Sequence, residues 1–410
     1  MTIVSVAAVL IATLSPASDE SMAAHFCIVC GPLGGVDVVL NVFLFLPLGV
    51  GLALSGVRWR RAVFAACCLS ILVELAQLFF VRGRDATLGD VVMNTVGASL
   101  GVALVLRART WLRPAPRSAA VLSLSWCMLW LGIQLVASFA LALSIPDSTF
   151  YGEIARQLGN FDLFRGRVVA ASIDSVAITD APVSDGDDMA RRLRGGAQVR
   201  ATVVPLGPTR GIAPIVRVAD ADQRQIVLLA QKERVFLFGA RTGAETLRLR
   251  APLIGLEAVF PATTQASDTV TLTGRYLSRA VSVGAQSGSA KSGSDIPLFA
   301  SLAWTLLLPS QWFIEGTAIE RLLSLIWVAV LLVPVGYWAP YAARRLPGGD
   351  VMRLHTFVWP TGIAIIAVGL AVGPLAFGLT PTPPADWVAA FLGLLTGIGL
   401  GRATGKPRLA

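Results

Sequence analysis

Apolar residues fall into long runs separated by short polar clusters, and most of the runs approach the length needed to cross a bilayer. A hydrocarbon core of about 30 Å takes about 20 helical residues. The candidate spans are Val36–Ser55, Ala62–Val81, Leu88–Leu106, Ala119–Ser144, Leu322–Ala339, Thr356–Leu379 and Trp387–Leu400. Ile3–Leu14 is a shorter first run, and no basic residue precedes it as a secretory signal would require. It is read as an eighth, short span. Leu298–Pro309 is apolar but too short, and Trp304 and Trp312 suit the headgroup level, so an interfacial or re-entrant segment is expected there.

The period changes between Pro146 and Ile296. Short β-branched runs follow one another at Arg167–Ser172, Gln198–Val204, Ile212–Val218, Gln225–Ala230, Arg234–Gly239, Thr246–Leu249, Thr269–Leu272 and Ala280–Val283. Several alternate strictly, as half-buried antiparallel strands do. Pro208, Gly211, Asp220, Asp222, Gly239 and Gly243 supply turn chemistry between them. Phe236 and Phe238 share one strand face and are expected in a core. The fold class predicted is therefore a multi-pass α-helical membrane protein of about eight spans with an all-β, jelly-roll-like sandwich outside the cytoplasm. Gly284–Ser294, rich in Gly, Ser and Ala, reads as a flexible tether back to the membrane.

Charge sharpens this picture. Of the 34 basic and 25 acidic residues, 18 and 15 lie between Pro146 and Ile296, so the insert is nearly balanced and carries no basic face for nucleic acid. Outside it, 13 of the remaining 16 basic residues sit in Arg58–Arg61, Arg107–Arg117, Arg344–Arg353 and the tail from Arg402. Basic loops stay in the cytoplasm, which places both termini inside and the insert outside. The five cysteines all lie beyond the insert, so no disulfide framework holds it. Cys27 and Cys30, in the first outer loop, offer a strained redox-active pair or part of a metal site, although a lone pair of this kind is more often incidental. Asp185, Asp187, Asp188, Asp220 and Asp222 offer carboxylates to a calcium ion, although such clusters are more often solvated turns.

The informative chemistry is inside the membrane. Asp37 and Asn41 share a face of the second span, Glu74 and Gln77 a face of the third, and Asp90 and Asn94 a face of the fourth, with Arg82, Arg84 and Asp85 in the loop between the last two. Charged groups in a bilayer cost several kcal/mol and normally face a bundle interior or a wet cavity. Convergence of these groups near the outer surface is expected. Gly97-Ala98-Ser99-Leu100-Gly101 matches a nucleophile-elbow pattern, but it lies in mid-helix and reads as a small-residue packing seam.

Asp37-x-x-x-Asn41-x-x-x-Phe45-x-Pro47-Leu48-Gly49, Glu74-x-x-Gln77 and Gly83-Arg84-Asp85…Asp90-x-x-x-Asn94-x-x-Gly97-x-x-x-Gly101 together resemble the VanZ-like family of bacterial membrane proteins, over roughly Val36–Val105. The family takes its name from a member linked to glycopeptide tolerance, and the resemblance implies a bacterial plasma-membrane location without a settled activity. The strands from Ile212 to Arg250 resemble laminin-G-like, concanavalin-type sandwiches, which implies carbohydrate binding or a protein-docking role. The expected organisation is a VanZ-like bundle over 1–118, a connecting helix over 119–145, the sandwich over 146–283, a Gly/Ser linker over 284–296, and an interfacial segment with three spans over 297–410.

Function is expected to be the handling or protection of a cell-envelope component, with the sandwich meeting polysaccharide, peptidoglycan or a lipid-linked precursor. The alternative is an intramembrane enzyme in which Glu74 and Asp90 serve as acid and base beside Arg84, with Asp37, Asn41, Gln77, Asp85 and Asn94 binding the substrate. A transporter is disfavoured, because no inverted repeat or interrupted helix pair is evident.

Overall fold

The computed structural model describes residues 2–14, 28–29, 31–81, 86–159, 161–183, 185–260, 269–277, 279–308, 312–343 and 351–405. Two compact units divide the chain. One comprises Met1–Leu129, Ala329–Ile365 and Ala390–Ala410, the other Trp130–Val328 and Ile366–Ala389.

The N-terminal helices are α1 (Thr2–Leu14), α2 (Gly34–Leu54), α3 (Trp59–Phe80) and α4 (Leu88–Leu106), followed by the short α5 (Ala108–Leu112) and the long α6 (Pro116–Leu141). Pro47 inside α2 removes one backbone donor, which neighbouring helices in a bundle tolerate. Among the described residues seven helices are long and apolar enough to cross a membrane, and α1, at 13 residues, is shorter. The protein is a membrane protein. Glycines bring α2 and α4 backbone to backbone: a methyl at Gly97 would fall on Val42 and one at Gly101 on Leu46 and Val50. The small-residue seam expected at Gly97–Gly101 is thus where these two helices meet, and the Ser99 hydroxyl is turned back onto the Thr95 carbonyl at 2.7 Å.

The strands form two antiparallel sheets. One has the order β1-β5-β6-β7-β8, from β1 (Tyr151–Ile154), β5 (Thr209–Ala219), β6 (Gln225–Glu233), β7 (Val235–Ala240) and β8 (Leu253–Leu256). The other runs β11-β10-β9-β4-β2-β3, from β2 (Gly166–Ile173), β3 (Val176–Ala177), β4 (Gln198–Pro205), β9 (Val270–Tyr276), β10 (Ala280–Ser287) and β11 (Ala290–Pro297). Ile215, Val199, Leu272, Phe236 and Phe238 fill the space between the sheets. Gly274 lies under the Phe238 ring, where a methyl would collide with it. The outer face of β6 and β7 is covered as well: Leu228, Ala230 and Leu237 pack with Phe313. Ile314 then pairs with β8, its amide donating to Leu253 at 2.7 Å, so that edge is not left bare.

Several expectations need correction. The tether over 284–296 is the β10–β11 hairpin, with Ser287 opposite Ala290 and Gly288 at φ 55° in the turn. Small side chains do not prevent backbone pairing, and β11 is an exposed edge strand that needs little apolar cover. Leu298–Pro309 holds a 3-10 helix, Ala300–Leu307, and Leu298, Leu302 and Leu306 are buried in the sandwich core. Its apolar face is therefore committed to protein. Thr246–Leu249 is not a strand, because Thr242 and Glu245 form a reciprocal capping box that starts the one-turn α8 (Gly243–Thr246). β1, β3, β8 and β11 lacked a readable alternation.

Three of the five carboxylates considered for calcium are otherwise engaged. Asp185 caps α7 (Gly186–Arg194) by accepting from the Asp188 amide at 2.9 Å. Asp188 pairs with Arg192, whose guanidinium holds the carboxyl below its usual range. Asp220 accepts from Arg241 at 3.1 Å and from the Asp222 and Arg224 amides of its own turn. Among the described residues no group of three or more His, Cys, Asp or Glu is placed to hold a metal ion. Three C-terminal segments complete the chain: α9 (Ala318–Ala342), then α10 (Val351–Ala367) continued by a π segment, Val368–Val372, and α11 (Gly373–Ala376), and finally α12 (Pro384–Gly405).

Candidate functional site

The site begins at the N-terminus of α4. Thr87 caps that helix: its hydroxyl accepts from the Asp90 amide at 3.1 Å, and its own amide donates to Glu74 Oε2 on α3 at 2.9 Å. Asp90, one turn into α4, accepts from the amide of Asn41 on α2 at 2.6 Å. One hydrogen-bonded chain, Asn41–Asp90–Thr87–Glu74, therefore links three helices. Glu74 and Thr87 are buried, while Asn41 and Asp90 are partly exposed. A turn further along α4, Asn94 donates to the Ser70 hydroxyl at 2.9 Å, and both side chains are almost wholly buried.

Among the described residues, Asn94 Oδ1 and Gln77 Oε1 meet no hydrogen-bond partner. Turning the Asn94 amide over would satisfy its oxygen with the Ser70 hydroxyl and orphan its nitrogen, so one polar atom is left in either orientation. A buried polar atom without a partner costs about 1–3 kcal/mol. Such atoms stay where water or a ligand group meets them.

The structure thus brings Asn41, Glu74, Asp90 and Asn94 into two stacked polar layers. Gln77 turns elsewhere, donating to the Thr13 carbonyl at the end of α1 at 2.9 Å. Asp37, one turn before Asn41, is exposed. Arg82, Arg84 and Asp85, like Cys27 and Cys30, lie outside the described residues. Sequence reading missed Thr87 and Ser70. Thr87-x-x-Asp90 is an N-cap spacing, and Ser70 stands four residues before Glu74, so both signals were present. An apolar cavity of about 650 Å³ lined by Leu100, Leu104, Trp111, Trp126 and Trp338 lies ten or more residues along α4 from Asp90 and has no carboxylate in its lining.

Two helices crossing on glycines, with acid–amide pairs in their N-terminal turns, are the arrangement to set against known proteins. Residues 6–110 match the VanZ/LLP1 family. The helical portion α1–α4 is VanZ-like, and every residue of the polar chain falls inside the matched stretch. The VanZ/LLP1 match ends before α6, so the sandwich stands outside it and is established by its two sheets alone. No curated protein and no solved structure matches the chain.

Proposed function

We propose that this VanZ-like protein engages the polar headgroup of a cell-envelope amphiphile at the Asn41–Asp90–Thr87–Glu74 chain, and that its sandwich lies outside the cytoplasm and contacts envelope polysaccharide or another envelope partner. One observation carries the reading: the helix cap Thr87 holds the Glu74 carboxylate with its amide and the Asp90 amide with its hydroxyl, which sets the Asp90 carboxylate on Asn41, and the nearby Asn94–Ser70 pair keeps an unsatisfied polar atom. Helix association alone requires satisfied hydrogen bonds and gains nothing from an open acceptor beside two acids. The hydroxyls, amides and phosphates of a lipid-linked sugar precursor are the donors and acceptors that such a layer matches.

The positive-inside distribution supports an inner-membrane protein with cytoplasmic termini, because basic loops resist translocation. The test is binding by the full-length protein in detergent micelles, with a polyprenyl-linked glycan and with the same lipid lacking its headgroup. Glu74→Gln and Asp90→Asn are expected to lose headgroup-dependent binding while accumulating at parental membrane levels. Equal loss of binding and of folded protein would leave these residues a structural role only. Product release by the purified protein would instead make the pair an acid and base.

A further inference from the structure

The seam between α2 and α4 has a counterpart at the other end of the chain. A methyl on Gly101 would fall on Leu46 O, Val50 N and Gly49 C, and one on Gly397 would fall on Val333 O, Tyr337 N and Gly336 C. Gly97 faces Val42 and Gly393 faces Ala329, while Gly49 faces Ala98 and Gly336 faces Leu394. A shift of 287 residues along α2 and 296 along α4 carries each of these contacts onto α9 and α12 without exception. The same shifts superpose features that played no part in choosing them. Pro47 falls on Pro334, each inside a membrane helix, and Asp90 falls on Asp386. α3 ends at Phe80 and α11 at Ala376, each ten residues before its aspartate. The helix before each seam also packs on its partner: α1 brings Thr2 against Gly51, and the start of α6, Ala119 and Ala120, clusters with Trp338, the position equivalent to Gly51.

We propose that α6, α9, α10–α11 and α12 are a second, direct copy of the VanZ-like bundle, and that its aspartate, Asp386, is a clamp on the sandwich rather than a working group. The positions that surround Asp90 have turned apolar in the copy. Asn41 corresponds to Val328, Asn94 to Ala390 and Glu74 to Leu370. The loop still closes on the same helical position, but Thr382 now donates its hydroxyl to the Leu370 carbonyl, where Thr87 donates its amide to the Glu74 carboxylate. Pro374, four residues on, has no backbone N–H to give that carbonyl.

Asp386 is 1% exposed and has acquired new partners. Arg321 approaches it at 2.8 Å, and Ser301 donates to its other oxygen at 3.0 Å. Ser301 belongs to the 3-10 helix whose neighbours Leu302 and Leu306 are core residues of the sandwich. The Thr380 amide donates to the Leu298 carbonyl, and Leu379 is itself buried in the sandwich core. The carboxylate position thus binds a fixed segment of this same chain. A sequence comparison misses the copy because the matched positions are mostly glycines and ordinary apolar residues, and because the sandwich separates its first helix from the rest.

Four crossings per copy make the two copies run the same way through the membrane. In a background with the five native cysteines replaced, Ser55→Cys and Ala343→Cys occupy equivalent loops and should label from the same side with an impermeant maleimide. Labelling from opposite sides overturns the repeat. For the clamp, protease cleavage of the sandwich is followed in full-length protein. Asp386→Asn and Arg321→Gln are expected to speed it by about tenfold or more, since either leaves a buried charge alone. The exchanged pair D386R/R321D should restore most of the resistance, and Asp90→Asn should not change it. Unchanged cleavage in Asp386→Asn, or an exchanged pair no better than the single variants, overturns the clamp. If neither single variant accumulates, accumulation of the exchanged pair supports it and failure refutes it. None of these readouts depends on the ligand proposed above.

Discussion

Replacing Gly97 by alanine tests whether the α2–α4 seam sets the geometry of the polar chain. The added methyl would stand 2.9 Å from both the Cα and the carbonyl carbon of Val42 and closer still to its oxygen. All three are backbone atoms, so no side-chain rotation relieves the contact. Carbon atoms rest about 3.5–4.0 Å apart, and the two helices must separate by roughly 1 Å at this level. Asn41 immediately precedes Val42, and its bond to Asp90 spans the same pair of helices at 2.6 Å. The same displacement takes that bond beyond the ordinary limit of about 3.2 Å. Overpacking costs about 1–3 kcal/mol, and a lost hydrogen bond to a charged group about 1.5–3, so roughly 3–5 kcal/mol is expected. The assay is the thermal unfolding midpoint of the full-length protein in detergent, together with headgroup-dependent binding. Gly132→Ala is the control, because a methyl there meets nothing within 4 Å. Gly97→Ala should lower both the midpoint and the affinity. A variant that melts and binds like the parent would refute the link between seam and site.

Two further outcomes concern the sandwich. Glu153 and Arg217 pair at 2.6 Å with side chains only 9% and 12% exposed, so Glu153→Gln alone should cost about 3–5 kcal/mol. The joint change E153L/R217M should lie near neutral in the same unfolding assay, and equal losses for single and joint variants would contradict the pairing argument. Burial raises the Glu245 carboxyl above its ordinary 4.5, against the opposing hydrogen bond from the Thr242 amide. The folded state then holds this proton longer than the unfolded one, so the contribution is full below 4.5 and declines as pH rises through the raised value. Glu245→Gln keeps an acceptor for Thr242 and carries no charge, so its stability should fall less with rising pH. Identical pH slopes for parent and variant would exclude this assignment.

The membrane spans were legible because crossing a bilayer demands one-dimensional runs of apolar residues, and such runs survive in a sequence whatever their neighbours do. The same holds for the strands that alternate, from β4 at Gln198 to β7 at Phe236 and Phe238. The acid–amide spacing on α2, α3 and α4 was also visible, since helical geometry alone puts residues four apart on one face. Beyond that, local pattern gave way to pairing. The Gly- and Ser-rich 284–296 stretch carries no hydrophobic alternation, yet β10 offers it a free edge, and backbone hydrogen bonds need no side chains. Leu298–Leu307 is apolar enough for several fates, and only the presence of a sandwich core beside it decides among them.

What the chain settles by itself is the list of polar groups that must be hidden from lipid. Which of them meet is a tertiary matter. Asn41 finds Asp90 across 49 residues because glycines let α2 and α4 touch, and Thr87 joins Glu74 because the helix start it caps lies beside α3. Asp90 and Asp386 look alike in one dimension: each opens an apolar helix with glycines at the seventh and eleventh positions beyond it. Their difference comes from what the fold sets opposite each, an amide in one case and an arginine with a serine in the other. A buried charge takes its role from its partners, and partners are fixed by packing in three dimensions.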